Sequence, residues 1–182
     1  MTITLTDLSS PLGELRVACC DERVLGLAFS DAWERVEAFL TRRFEEPLRP
    51  RAGTAPAVQE ALDRYFAGDL RAPEALVLDP GGTPFQRSVW QALRHVPAGH
   101  TTFYGALARA IGQPQAARAV GAACGANPIW LAIPCHRAIG NDGQLTGYAG
   151  GLARKRWLLD HEGALPYEET PSFSSAVAVA QR

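Results

Sequence analysis

No stretch of this 182-residue chain approaches the ~20 consecutive apolar residues that a membrane span needs. Its first residues, Met1-Thr2-Ile3-Thr4, carry no basic stretch leading into an apolar core, so no secretory signal is expected and the chain is read as cytoplasmic. Cysteine is sparse: Cys19, Cys20, Cys124 and Cys135, without an export signal, read as free thiols and not as a disulfide framework. These and the histidines His95, His100, His136 and His161 form neither Cys-x-x-Cys nor His-x-x-x-His, so no zinc site is expected. Cys19 and Cys20 are neighbours, and on a strand they point to opposite faces, which argues against one shared metal. The glycine pairs at Gly81 and Gly150 lack the context of a phosphate loop and read as turn and pocket-lining residues.

What is present is an ordinary globular composition, 47% hydrophobic and 20% charged, with an uneven distribution of charge. Residues 1–80 hold 9 basic against 14 acidic side chains, a net of −5, while residues 81–165 hold 8 against 3, a net of +5. Opposite signs point to two modules, the second suited to a polyanion; a solvated bias with no partner accounts for the same count equally well. Asp79-Pro80-Gly81-Gly82 is the strongest break in the chain and coincides with the change of sign. The expected organisation is an N-terminal α/β domain over 1–80, a C-terminal domain over 81–165, and a disordered tail over 166–182.

The first thirty residues read as an antiparallel meander through Ile3, Leu5 and Leu8, then Leu15 to Ala18, then Val24 to Phe29. Asp31 with Glu34 predicts a capping box for a helix carried by Trp33, Val36, Phe39 and Leu40. Residues 49–56 read as a loop, and Val58, Leu62, Tyr65 and Phe66 as a second helix ended by Gly68. In the second half, Thr83, Pro84 and Gln86 predict a capped helix through Phe85, Val89, Trp90, Leu93 and Val96.

Thr102 then predicts a cap for a short helix over 103–111, followed by the turn Gly112-Gln113-Pro114 and a helix over 115–124. With Ala108 and Gly112 at the expected crossing, this describes a helix-turn-helix, although a plain helical hairpin satisfies the pattern and is more common. In the later helix, Ala117, Val120, Gly121 and Cys124 share a core face and leave Gln115, Arg118, Ala122 and Gly125 outside. One arginine among small residues indicates close approach to a large surface, either a DNA groove or another protein domain. The turn Asn141-Asp142-Gly143 between extended segments predicts a hairpin or wing. A last helix carries Leu152, Leu158 and Leu159 with Arg154, Lys155 and Arg156, and Gly163 closes it.

Pro134-Cys135-His136-Arg137 is a candidate activated thiol, because a nearby imidazole and arginine favour the nucleophilic thiolate. A Cys-His neighbour pair alone is usually incidental. On a strand, His136 would face away from Cys135, so a water or a local bend would have to connect them.

The stretch from Gly82 to Gly163 resembles the catalytic domain of the O6-alkylguanine-DNA alkyltransferase family, the methylated-DNA–protein-cysteine methyltransferases. The likeness lies in Thr83-Pro84-Phe85-Gln86, Tyr104, Ala116 to Gly121, Asn127-Pro128, Ile133 to Arg137, Gly147 to Gly151 and His161-Glu162-Gly163. The resemblance implies an α+β fold with a ribonuclease-H-like antiparallel N-terminal sheet with helices and a winged helix-turn-helix-like catalytic domain. It implies repair by direct reversal: an alkyl group passes irreversibly from O6-alkylguanine, with O4-alkylthymine a further candidate substrate, to Cys135, once per molecule and with base flipping.

On the same ground His136 corresponds to a water-assisted base, Glu162 to the carboxylate that orients it, and Asn127 to a brace before the cysteine. Tyr104 matches a residue that pushes the flanking phosphate and donates a proton to guanine, and Arg118 the finger that fills the gap left by the base. Further DNA contacts are implied for Gln86, Gly105, Gln113 and Asn141, and pocket positions for Cys124, Trp130, Pro134, Ala138, Tyr148, Ala149 and Gly150. Double-stranded DNA bound through its minor groove is the implied partner of a monomer, with no cofactor and no membrane. Trp130 stands where members of the family usually carry proline. Two rival readings, a non-catalytic helix-turn-helix regulator and a cysteine hydrolase, leave Cys135, His136 and Glu162 together or the missing oxyanion-hole signature without a reason.

Overall fold

In the computed structural model, residues 2–45, 51–141 and 143–164 are described, and the expected tail over 166–182 lies outside them. The chain forms two compact units: residues 1–82 with Pro128–Ala132, and the remainder. The break at Gly82 is a single position, but the return of Pro128–Ala132 to the first unit is a feature that two continuous segments do not contain.

In the first unit, strands β1 (Thr4–Leu8), β2 (Leu15–Cys20) and β3 (Arg23–Phe29) form the expected meander, and β4 (Arg51–Ala52) adds in parallel to β1, giving the order β3-β2-β1-β4. The loop expected over 49–56 therefore contains a two-residue strand, too short to carry any alternation. Asp79 N–H donates to Val24 O and Trp130 N–H to Leu27 O, so segments from both parts of the chain pair with β3 and cover that edge. Helix α1 (Trp33–Phe44) lies directly on the strand: a Cβ at Gly26 would come within 2.6 Å of Val36 Cγ1. Leu15, Val17, Leu27, Phe29, Val36 and Leu40, with Leu62 and Tyr65 of α2 (Pro56–Phe66), make the core.

The capping box expected at Asp31 and Glu34 does not form. A 3-10 turn over Ser30–Ala32 shifts the start of α1 to Trp33, with Ala32 at the cap position and no side-chain cap there. The box at Thr83 does form: Gln86 N–H donates to Thr83 Oγ1 and Thr83 N–H to Gln86 Oε1, at 3.2 and 2.9 Å. It opens α3 (Pro84–Arg94), with Pro84 in the first turn, where its missing N–H costs nothing.

In the second unit α3 packs on α5 (Ala117–Gly125), and Trp90 Nε1 donates to Ala123 O at 2.9 Å. Thr102 does not cap the intervening helix: Thr102–Phe103 is a strand, β5, and α4 (Tyr104–Ala110) follows with Phe103 at the cap position. The α4–turn–α5 pair is a helix-turn-helix whose turn uses Gly112 at φ +73° and not for a close crossing, since a Cβ there would meet nothing within 4 Å. Among the described residues, from which Asp142 of the expected turn is missing, no strand-turn-strand hairpin follows. Strand β6 (Ala138–Ile139) pairs in parallel with β5, and a tight turn closes by Gly143 N–H to Gly140 O and Gly140 N–H to Gln144 O. Ile139 then packs with Leu159 of the last helix, α6 (Leu152–His161), and with Ala164.

Candidate active site

Two tight turns deliver the cysteine. Ala132 N–H donates to Trp130 O at 2.8 Å around Leu131, whose φ of +68° is rare for a branched side chain and marks a strained γ-turn. Cys135 N–H donates to Ile133 O at 2.8 Å around Pro134, at φ −80° and ψ 63°, an inverse γ-turn that the proline ring favours. Cys135, His136 and Arg137 then form one 3-10 turn and not a strand, so the alternation expected for Cys135 and His136 does not apply.

Cys135 is buried, with 6% of the residue exposed. Asn127, at the end of α5, donates from Nδ2 to Cys135 Sγ at 3.2 Å and to Ile133 O at 2.8 Å, tying the sulfur to the turn that presents it. Burial pushes the Cys135 thiol up, and the Asn127 hydrogen bond and the charge of Lys155 oppose that rise.

Behind it lies a buried relay. His136 and Glu162 are inside the protein, with His136 Nε2 and Glu162 Oε1 2.9 Å apart. Arg137 donates to both oxygens of the same carboxylate, from Nε at 2.8 Å and Nη2 at 2.9 Å, and from Nη1 to Val96 O at 2.6 Å. Burial alone would raise the Glu162 carboxyl, but His136 and Arg137 together hold it far below the usual carboxylate range. An ionised Glu162 only accepts, so Nε2 carries the proton and Nδ1 keeps the lone pair. Burial depresses the imidazolium of His136, against the pull of Glu162, so the ring is neutral near pH 7. Nδ1 is buried and has no hydrogen-bond partner among the described residues.

Arg137 is thus committed to Glu162 and Val96, and the expectation that it favours the thiolate directly is corrected. The cation whose charge bears on the sulfur is Lys155, read from sequence only as one of the basic residues of the last helix and fully buried in the structure. Its Nζ donates to Ala138 O at 2.5 Å and Thr146 O at 2.9 Å, and burial brings its pKa down to about 8. The spacing held a signal: Leu152, Lys155, Leu158, Leu159 and Glu162 fall on one helical stripe.

Other expected positions sort clearly. Tyr104 donates to Thr146 O at 3.3 Å, and its hydroxyl is raised to about 12 by burial and the neighbouring Cys124. Cys124 is buried on α5, and burial pushes its thiol up. Tyr148 sits with its ring edge-on to His136, centroids 6.5 Å apart. Pro134, Ala138 and Gly150 are buried, and Ala149 is half-buried. Gly105 lies beside Asn141, whose Oδ1 would be 3.8 Å from a Cβ at that glycine. Gln113 is exposed, and the Gln86 carbonyl is engaged in its helix cap. Trp130, expected in the pocket, packs edge-on against Phe29, centroids 5.8 Å apart, in the core of the first unit.

On α5 the buried face is Val120, Ala123 and Cys124, while Arg118, Ala119 and Ala122 are exposed, as is Gln115 in the turn before it. Gly121, expected in the core, faces open space, as does Gly125: a Cβ at either would meet nothing within 4 Å. Neither glycine therefore serves close packing among the described residues. Among the described residues no group of three or more His, Cys, Asp or Glu side chains could hold a metal ion, and no helix is long and apolar enough to cross a membrane.

Fold and site together define a helix-turn-helix protein built around a buried cysteine beside a histidine–glutamate pair. Residues 84–164 match the model of the 6-O-methylguanine DNA methyltransferase DNA binding domain, and residues 3–80 that of the ribonuclease-like domain of the same family. The chain belongs to the 6-O-methylguanine DNA methyltransferase family. It is 48% identical over 161 residues to the methylated-DNA–protein-cysteine methyltransferase of Salmonella typhimurium, covering 87% of this chain and 94% of that one. The protein of that name from Methanosarcina acetivorans is 52% identical over 164 residues, 85% of this chain and 95% of the relative. Among solved structures, Mycobacterium tuberculosis OGT in complex with DNA superposes with a TM-score of 0.74 at 40% identity, over 90% of this chain and 94% of that one.

Proposed function

We propose that this protein repairs O6-alkylguanine in double-stranded DNA by moving the alkyl group onto Cys135 Sγ, irreversibly and once per molecule. The observation that carries this is the Cys135 thiol bound by Asn127 beside a neutral His136 whose Nδ1 is bare and whose Nε2–H is fixed by Glu162. Such a ring takes the thiol proton at Nδ1 through one bridging water, and Glu162 steadies the imidazolium that results. The thiolate displaces guanine at the alkyl carbon: the S–C bond forms as the C–O6 bond breaks, and the base leaves as its O6 anion. Tyr104 passes its proton to the leaving guanine and is reprotonated through solvent as the His136 imidazolium gives up the proton it took, so the thiol proton ends on the base.

The sulfur of a buried residue cannot meet a base inside the helical stack, so the damaged nucleotide leaves the duplex, at a cost of about a few kcal/mol. The exposed face of α5 fits the minor groove because Gly121, Ala122 and Gly125 add no bulk, and Arg118 is the long side chain on it that fills the gap. One protomer carries the whole site. The thioether formed has no low-energy route back, which makes each molecule a single-use acceptor.

Incubation with O6-benzylguanine followed by intact mass tests the chemistry without DNA. One benzyl adduct per chain, absent in Cys135→Ser, is the expected result; an unmodified chain would refute alkyl transfer, and continued release of guanine would mean hydrolysis.

A further inference from the structure

Among the described residues, three that are not glycine have a positive φ: Asp21, Glu45 and Leu131. Asp21 lies in the turn between β2 and β3 and Glu45 just past the end of α1, both exposed and both where the left-handed region is common. Leu131, at +68°, is different: it is 3% exposed and carries a bulky side chain that this region disfavours. A backbone held in such a state persists only where its surroundings over-determine it, and these states concentrate at functional sites. Leu131 stands four residues before Cys135.

Both ends of its segment are tied. On the N-terminal side, Leu27 N–H donates to Pro128 O at 2.9 Å and Trp130 N–H to Leu27 O at 2.7 Å, so the chain up to Trp130 is held on the edge of β3. The Trp130 ring against Phe29 adds to that hold. On the C-terminal side, Asn127 Nδ2 donates to Ile133 O at 2.8 Å and to Cys135 Sγ at 3.2 Å. Between the two ties lie Leu131 and Ala132, and the chain has to turn there.

Extended, two residues would carry it onward by about 7 Å. Instead Ala132 N–H closes on Trp130 O at 2.8 Å, and the second γ-turn, at Pro134, delivers Cys135 to the start of its 3-10 turn. Glycine would enter the left-handed region without strain, but it enters the other regions as readily and would leave the segment loose. A leucine whose side chain is packed inside the protein confines the turn.

We propose that Leu131 is a positioning residue for Cys135: its strained turn restricts the segment to the path that sets the sulfur against Asn127. The inference rests on the alkyl transfer proposed above for Cys135.

Leu131→Ala and Leu131→Gly test it as a pair, because both remove the buried side chain and they differ only by a Cβ. At an ordinary backbone position the glycine variant is the less stable of the two. At φ +68° the order reverses, and the glycine variant is expected to melt ~2–4 °C above the alanine variant. The rate runs the other way. With benzylguanine, the saturating single-turnover rate constant is expected to be about tenfold lower in the glycine variant than in the alanine variant, with the half-saturating concentration within about twofold, because orientation of the sulfur is lost and the pocket is kept. A residue that served stability alone would make the rate follow the melting temperature. A glycine variant that reacts as fast as the alanine variant would overturn the proposal, and so would one that melts below it.

Should neither variant fold, hydrogen exchange in the wild type decides. The Ala132 and Cys135 amides close the two γ-turns and are expected to exchange as slowly as the Leu27 amide of β3, through global opening. Exchange roughly a hundredfold faster would show a segment free to move and would overturn the proposal. A wild type that accepts no benzyl group would refute the function proposed above without touching the turn, which iodoacetamide then reads. A loosened segment exposes the sulfur, so the Cys135 peptide is expected to be modified faster in the glycine variant than in the alanine variant, and equal rates would overturn the role of Leu131 by themselves.

Discussion

Glu162→Gln is the perturbation whose consequences the geometry fixes most closely. The carboxylate accepts three hydrogen bonds, from His136 Nε2 at 2.9 Å and Arg137 Nε and Nη2 at 2.8 and 2.9 Å, with only 4% of the residue exposed. A glutamine offers one acceptor oxygen and a second site that donates. At least one of the three donors then faces another donor, and Arg137 keeps its charge with no counter-ion at 5% exposure. Breaking a buried pair in this way costs ~3–5 kcal/mol. At ~2–4 °C per kcal/mol for a chain of this size, the thermal midpoint falls by ~6–20 °C.

The rate suffers separately. Without a carboxylate, His136 loses the partner that keeps the proton on Nε2, and a general base in the wrong tautomer forfeits much of the ~10²–10⁴-fold that such a group contributes. The assays are thermal unfolding and the single-turnover rate with benzylguanine across pH. Acid behaviour adds a signed test. Glu162 is held below its ordinary range in the folded state, so its contribution is fully present above the unfolded value of ~4.3 and is lost as pH falls toward the folded value. The wild type therefore loses stability below about pH 4 more steeply than Glu162→Gln. A midpoint within ~2 °C of wild type, well short of the shift expected for a broken buried pair, together with an unchanged pH–rate profile would refute the reasoning.

Two further outcomes follow from the placement of single residues. Arg118→Ala should slow repair of duplex DNA by well over tenfold while leaving the reaction with free benzylguanine within about twofold, because the exposed arginine acts on the duplex and not on the sulfur; equal losses on both substrates would place it in the site. Trp130→Ala should destabilise the protein by ~3–5 kcal/mol, as a buried tryptophan does, without changing the relative rates of methyl and benzyl transfer in protein that remains folded; a selective gain for the larger group would return Trp130 to the pocket.

Much of the fold was legible where a period or a cap had room to show itself. The meander from Thr4 to Phe29 alternates over enough residues to be read, and Thr83-Pro84-Phe85-Gln86 places its cap correctly because the helix begins where the box requires. Asp31 and Glu34 have the same spacing, yet a 3-10 turn takes up the residues between β3 and α1, and that depends on tertiary packing. Two-residue strands such as β4, β5 and β6 have no period to detect, so their parallel pairings were invisible, as was the return of Pro128–Ala132 to the first sheet.

In the site, sequence order singled out Cys135, His136, Glu162 and Asn127 through the resemblance; the structure bonds Asn127 to Cys135 and His136 to Glu162. It could not say that Arg137 would turn from the thiol to Glu162, because three residues of 3-10 helix redirect its side chain. Lys155 was read only as one of three basic residues in a row and given no role, although its stripe with Leu158, Leu159 and Glu162 pointed inward. Gly121 shows the opposite error, a small residue assigned to the core by periodicity that in fact leaves the outer face clear.

The central claim, a stoichiometric transfer to one sulfur, is tested most directly with duplex DNA carrying a single O6-methylguanine. Restored guanine should rise in a burst to one equivalent per protein and stop, with ~14 Da, a methyl replacing a hydrogen, added to the peptide that contains Cys135. Turnover beyond one equivalent, or the added mass on Cys124 or any other residue, would contradict the account.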